Sequence, residues 1–262
     1  MNNKSVLIKI ATAVSYVLMV VVNGLANALP INNRSTGAIS DAYPNLFAPA
    51  GLTFSIWGLI YLLLAGYTLY QFGLFQSDKG KGRVELFQRI GLYFILSSLA
   101  NIAWIFAWHY DFIGVSVLIM SVILFSLIKI ADILNKEKLS LKEKAFIHVP
   151  FSVYFGWITV AAIANITIFL VSINWNGFRI SDQIWTVVVL LAGLLIGSIR
   201  MWKDKNIAYG LVFVWAYAGI LLKHVSTDGF SGQYREIIIT IGICIVGFAI
   251  SLAAVIRKNI KL

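Results

Sequence analysis

Aromatic rings and small polar or apolar side chains recur at helical spacing in three apolar stretches of the sequence. Members of each cluster are three or four residues apart, or multiples of these steps, so each cluster shares one helix face. The clusters are Phe54, Trp57 and Tyr61; Asn101, Trp104 and Trp108; and Tyr154, Trp157, Ala161 and Asn165. Such rings can stack on a flat apolar molecule, and an amide can give that molecule one polar anchor.

Two interpretations of these clusters remain open from spacing alone. Tryptophans usually lie in the interfacial belts of membrane proteins, but Trp57, Trp104 and Trp157 lie several residues inside their apolar stretches. The amides of Asn101 and Asn165 need hydrogen-bond partners in a dry interior. Either the asparagines bond helix to helix and the rings only pack, or rings and amides line a ligand pocket.

Acidic side chains are missing from the cores of the apolar stretches, and all eleven Asp and Glu lie outside them. A charge near the bilayer centre costs at least about 2.5–3.5 kcal/mol and is usually kept for function, as in proton relays and ion pumps. Paired carboxylates, His-Glu metal motifs and a Ser/His/Asp arrangement are also missing at membrane depth. The sequence therefore predicts no catalytic residues, no metal site and no required cofactor.

The elements that carry these clusters are membrane helices. Sixty per cent of the 262 residues are hydrophobic and 12% are charged, against about 25% charged in a soluble domain. Transmembrane β-strands would be about ten residues long with alternating polarity, whereas these runs are longer and apolar throughout. We therefore expect an all-α integral membrane protein. Its eight transmembrane helices are predicted at about 5–29, 51–75, 88–108, 112–131, 146–172, 183–201, 207–223 and 236–256.

The basic residues predict the orientation. Of the 21 Lys and Arg, only Arg34, Arg179, Lys223 and Arg235 fall on the side opposite the N-terminus when eight spans alternate. By the positive-inside rule, both termini are cytoplasmic. The net charge of +10 is then explained by orientation, so we expect no nucleic acid partner and expect a multi-pass location, in a bacterial plasma membrane.

The three clusters also carry a family resemblance. Residues 44–49 (Pro-Asn-Leu-Phe-Ala-Pro), with Trp57 and Tyr61, resemble the proline-rich lead into a Trp-x-x-x-Tyr second helix of the TspO/MBR family, the tryptophan-rich sensory proteins and translocator proteins. Asn101 and Trp104 resemble the Asn-x-x-Trp motif of its third helix. Pro150 followed by Trp157, Ala161 and Asn165 is similar to the pattern of its fifth helix. The resemblance covers about residues 1–173.

This resemblance implies a five-helix bundle with an internal pocket for porphyrins, related tetrapyrroles or sterols. It divides the chain into a five-helix domain at residues 1–173 and a three-helix extension at residues 174–262. Porphyrin or haem would then be a ligand. The ligand-binding residues carried over are Pro49, Phe54, Trp57, Tyr61, Asn101, Trp104, Tyr154, Trp157, Ala161 and Asn165.

The resemblance favours a membrane sensor or translocator that binds a flat hydrophobic small molecule and has no chemistry of its own. The alternative is a small-molecule permease that uses all eight helices. Porphyrin degradation, to which some family members have been linked, and a purely structural subunit are further alternatives. The predicted partners are the lipid bilayer and the hydrophobic ligand. Gly193 and Gly197 permit close helix contact, which would dock the extra helices or form a homodimer.

Overall fold

The computed structural model describes residues 3–29, 31–76 and 83–260. The protein is 82% helical, and the described residues contain no strand, so the all-α prediction is confirmed. Within the described residues, eight helical stretches are long and apolar enough to cross a membrane, as predicted; the second runs from Gly51 to Gln71 and the fifth from Leu141 to Ser172. The α-helices of these stretches are α1 (Asn3–Ala28), α2 (Ile56–Gln71), α3 (Val84–His109), α4 (Ile113–Leu134), α5 (Val149–Ser172), α6 (Asp182–Asp204), α7 (Ile207–Val225) and α8 (Arg235–Ile260).

Two helices have extra turns before them. A 3₁₀ turn, Gly51–Ser55, leads into α2. The chain before α5 is already helical from Leu141, with a π-helical turn at Lys144–His148. Ser140 starts this stretch with a capping box, because its side chain accepts from the Glu143 N–H while the Glu143 carboxylate accepts from the Ser140 N–H.

Local sequence signals explain the tight connection between α6 and α7. The Ser181 hydroxyl accepts from the Ile184 N–H and begins α6, which ends where Lys205 adopts a left-handed conformation. The Asn206 side chain then accepts from the Tyr209 N–H and begins α7. Two residues are therefore enough to reverse the chain.

The contacts divide the chain into two compact units. Unit 1 contains the described residues of Met1–Thr36 and Trp57–Phe155, and in it α3 packs against both α1 and α4. Its core includes three buried rings in mutual edge contact: Tyr67 and Phe151 with centroids 4.7 Å apart, Phe94 and Phe151 at 5.2 Å, and Tyr67 and Phe94 at 5.7 Å.

An ion-pair network joins two loops of unit 1. Arg83, just before α3, donates to Glu143 at 2.8 Å and to Glu137 at 2.9 Å, and it also donates to the carbonyl of Lys138. Hydrogen bonding to Glu143 raises the pKa of Arg83, so the guanidinium stays charged. The network fixes the start of α3 against the loop that precedes α5.

Unit 2 contains Gly37–Ile56 and Gly156–Leu262, and in it α8 packs against α6 and α7. Phe248 lies 5.2 Å from Phe213 and 5.0 Å from Tyr217, centroid to centroid. A Cβ on Gly197 would stand 2.9 Å from both Phe rings, and one on Gly193 would meet the Tyr217 hydroxyl. The two glycines therefore make room for rings of α7 and α8, while a homodimer stays a prediction.

The domain boundary and the membrane orientation remain predictions. The predicted boundary at residues 173/174 came from the family resemblance, whereas the two units described above are defined by contacts in space. The positive-inside rule predicts which side of the membrane holds the two termini, and the helix bounds are compatible with either orientation.

Candidate functional site

Three of the predicted site residues form one aromatic group in unit 1, which we call the Trp57 cluster: Trp57, Tyr61 and Tyr154. Trp57 and Tyr61 are one turn apart on α2, and their rings stack with centroids 5.6 Å apart and planes at 23°. Tyr154, fully buried at 0% exposure, meets the Trp57 ring edge-on at 6.1 Å and 61°. Trp57 and Tyr61 are half-buried, so part of this aromatic surface stays accessible.

The position of the cluster is held by α1. The hydroxyl of Tyr16 donates to the carbonyl of Tyr61 at 2.8 Å. This bond connects α1 to the same turn of α2 that carries the stacked rings. A sequence search for rings at helical spacing does not find Tyr16, because its partner is a backbone atom 45 residues away.

Asn101 has a structural partner that the sequence analysis missed. Its side-chain oxygen accepts from the Asn23 amide at 2.6 Å, and the same Asn23 amide group donates to the Met19 carbonyl at 2.8 Å. Both asparagines are buried. Asn101 therefore bonds α3 to α1, as the first of the two interpretations proposed for the asparagines. Its side chain also lies near the hydroxyl of Tyr154. The sequence does contain a signal for Asn23, because it places a polar amide inside the largely apolar α1.

Trp104 stacks on Trp108, with centroids 5.2 Å apart and planes at 21°. Both rings are buried, and the indole N–H of Trp108 donates to the carbonyl of Thr36 at 3.1 Å. The pair therefore ties the end of α3 to the chain that follows α1. These contacts account for the position of Trp104 without a ligand.

Unit 2 contains the remaining predicted site residues. Phe54 and Trp157 are in edge-to-face contact, with centroids 5.9 Å apart and planes at 87°. Trp157 is 3% exposed, and Asn165 is also buried, while Pro49 and Ala161 are half-buried. The structure thus brings Phe54 and Trp157 together, although 103 positions separate them in the chain.

Helix α7 holds the segment at residues 44–55, which we call the proline segment. The Ala50 N–H donates to the Gly219 carbonyl at 3.0 Å, and the indole N–H of Trp215 donates to the Thr53 carbonyl at 3.0 Å. The ring of His224 bonds the carbonyl of Leu46 through Nε2 at 2.9 Å. One helix of the predicted extension therefore positions the most distinctive motif of the chain.

A cavity of about 120 Å³ lies in unit 2 between the start of the proline segment, the end of α5 and the start of α6. Trp175 and Trp185 line it, with centroids 5.1 Å apart. The Trp185 indole N–H donates to the Gly177 carbonyl at 2.8 Å. Pockets for drug-sized ligands measure about 300–1,000 Å³, so this cavity suits a small group better than a whole tetrapyrrole.

Comparison with protein families gives one match. The family model described as TSPO-like protein matches residues 9–255, which include all three aromatic clusters and most of the last three helices. Neither the curated proteins nor the solved structures gave a match. Among the described residues, no group of three His, Cys, Asp or Glu is arranged to hold a metal ion.

Proposed function

Because the chain belongs to the TSPO-like family, a family of membrane sensors and translocators, we propose that it binds a flat hydrophobic molecule at the Trp57 cluster. The ligand class that fits this surface is a porphyrin, a related tetrapyrrole or a sterol-like molecule. The protein is an integral multi-pass membrane protein, so such a ligand reaches it through the bilayer. In this proposal it acts by binding alone, without a cofactor or chemistry of its own.

The observation that carries the proposal is the half-buried stack of Trp57 on Tyr61. The rings of Tyr67, Phe94 and Phe151, which also contact one another in unit 1, are buried, whereas the stacked pair keeps part of its surface open. A flat ring system in offset contact gains about 0.5–1.5 kcal/mol per ring beyond the apolar area that it buries. The hydroxyl of the half-buried Tyr61 supplies a polar group that orients a ligand.

The test is a titration of the purified protein in detergent with protoporphyrin IX. Binding is followed both by tryptophan quenching and by porphyrin fluorescence, because removing a tryptophan changes the first signal by itself. We expect saturable micromolar binding to the wild type and at least about tenfold weaker binding to Trp57→Ala, since burial and stacking are lost together. Trp202→Ala is the control, because Trp202 is 54% exposed at the end of α6.

Two further variants locate the ligand. Trp157→Ala tests the sequence-based prediction that Trp157 takes part in binding, and Trp185→Ala tests the 120 Å³ cavity. Equal binding to the wild type and Trp57→Ala would contradict the proposed site. If only Trp185→Ala lost porphyrin binding, the binding site would be the cavity beside Trp185. With no saturable binding at all, the permease alternative remains, and it predicts solute uptake into proteoliposomes.

A further inference from the structure

A groove runs between the start of α3 and the end of α4 in unit 1, and we call it the basic groove. It has a volume of about 620 Å³. The two helices are consecutive and pack against each other, so the first turns of α3 lie beside the last turns of α4. The groove is lined by Arg89, Leu92, Tyr93, Leu96, Lys129, Asp132, Ile133 and Lys136.

The charges of the basic groove favour an anion. Arg89, Lys129 and Lys136 are cationic, and Asp132 is its one acidic lining residue, which leaves a net charge of +2. Asp132 follows Lys129 by three residues, so these two share a face of α4, and Lys136 lies in the turn just after α4 ends at Leu134. Arg89 and Lys136 are exposed, and a planar guanidinium matches the oxygens of a phosphate group in a bidentate manner.

The remaining lining of the basic groove is apolar. Leu92 is 57% exposed and Leu96 is 41% exposed, one turn further into the predicted span. Tyr93 is half-buried between them and the cations, as is typical of an aromatic ring at the headgroup level. The groove therefore changes from charged to apolar along the direction in which a phospholipid changes from headgroup to acyl chain.

Lys129 lies at the transition between the two parts. It belongs to the spanning helix α4, and its ammonium group lies 5.2 Å from the centroid of the exposed Phe125 ring. A long side chain near a helix end can extend to the headgroup region while its methylenes stay in the apolar layer. The cation–π contact with Phe125 is weak enough for a phosphate to share or replace it.

From the pairing of these three cations with an exposed leucine surface, we propose that the basic groove is a specific site for an anionic phospholipid of the phosphatidylglycerol type. The headgroup phosphate lies between Arg89, Lys129 and Lys136, and an acyl chain lies along Leu92 and Leu96. The positive-inside rule predicts this end of the helices to be cytoplasmic, the side on which basic pockets between helices bind anionic headgroups. No residue of the Trp57 cluster takes part, so this proposal and the proposed function can fail separately.

Native mass spectrometry of the purified protein, released from detergent with added lipid, tests the proposal. The probes are dioleoyl phosphatidylglycerol, dioleoyl phosphatidylcholine and inorganic phosphate, each titrated separately. The groove variant is Arg89→Gln/Lys129→Gln/Lys136→Gln. The matched control is Lys142→Gln/Lys203→Gln/Lys258→Gln, which removes the same charge from exposed positions outside the groove.

We expect phosphatidylglycerol to bind the wild type and the control variant equally, and to bind the groove variant about 100-fold more weakly. This figure corresponds to about fivefold for each basic residue removed near the membrane surface. Phosphatidylcholine and inorganic phosphate should bind weakly to all three proteins. If the triple variant does not fold, Arg89→Gln and Lys136→Gln are tested singly, each with an expected loss of about fivefold.

Three results would overturn the proposal. Equal binding of phosphatidylcholine would show that the groove does not recognise charge. Equally weakened phosphatidylglycerol binding in the groove and control variants would show that the lipid is attracted by the overall positive charge of the protein and not by the groove. Binding of inorganic phosphate as tight as that of phosphatidylglycerol would assign the groove to a free phosphate and leave the leucine surface without a role.

Discussion

Replacing Gly219 by alanine tests whether α7 holds the proline segment. Gly219 lies in the middle of α7, and its carbonyl accepts from Ala50 at 3.0 Å. A Cβ at this position would stand 2.6 Å from Cγ2 and 2.8 Å from Cβ of Thr53, and closer still to the hydroxyl. Two carbon atoms do not approach this closely, so Gly219→Ala must push Thr53 and its backbone away from α7.

The cost of this displacement has two parts. Overpacking by one methyl group costs about 1–3 kcal/mol. The same movement stretches the bond from Ala50 to Gly219 and the bond from Trp215 to Thr53, each worth about 0.5–1.5 kcal/mol. Together they lower the free energy of unfolding by about 2–6 kcal/mol. In a chain of this size, even the lower value lowers the unfolding midpoint by about 4 °C or more.

Thermal unfolding in detergent, followed by tryptophan fluorescence, measures the effect. Gly242→Ala in α8 is the matched control, because a Cβ there meets nothing within 4 Å, and its midpoint should stay equal or rise slightly. The three nearest crowding atoms belong to Thr53, so Thr53→Gly should restore most of the stability that Gly219→Ala loses. A midpoint of Gly219→Ala equal to that of the wild type, or no restoration by Thr53→Gly, would refute the reasoning.

Three further predictions concern the buried amide pair, the loop network and the orientation. Asn101→Leu should destabilise the protein. A double-mutant cycle with Asn23→Leu, measured by thermal unfolding, should give a coupling energy of about 0.6–1.7 kcal/mol. Additive effects of the two substitutions would contradict the hydrogen bond between Asn23 and Asn101. Arg83→Gln should cost about 1.5–3 kcal/mol, because two carboxylates lose their charged partner, and an unchanged urea midpoint would count against the network. In whole cells, Lys142→Cys should react with a membrane-impermeant maleimide only after permeabilisation, since the single native cysteine is buried; labelling of intact cells would reverse the predicted topology.

The spans could be predicted from sequence because the thickness of the bilayer fixes the length of an apolar helix. The seventh span, predicted at about 207–223, is the helix Ile207–Val225. The fifth was predicted from about 146, but its helical path begins at Leu141. Hydropathy falls at the charged residues before this span, whereas the capping box of Ser140 and Glu143 keeps that stretch helical.

Only those contacts of the candidate site that lie within one helix could be predicted from residue spacing. Spacing on one helix placed Trp57 and Tyr61 on the same face, and they stack. Contacts between distant segments leave no periodic signal. The bond from Trp215 to Thr53 spans 162 positions, and it follows from helix association in three dimensions. The assignment of Asn101 to a ligand site stays a prediction, while its side-chain oxygen accepts from Asn23, a partner 78 positions away that local spacing does not reveal.

A crystal structure of the protein with bound protoporphyrin IX tests the central claim most directly. We expect the macrocycle in offset contact with the ring of Trp57 or Tyr61, at about 3.5–4.0 Å between carbon atoms. A macrocycle seated between Trp175 and Trp185, or on a face of the helices away from the Trp57 cluster, would contradict it.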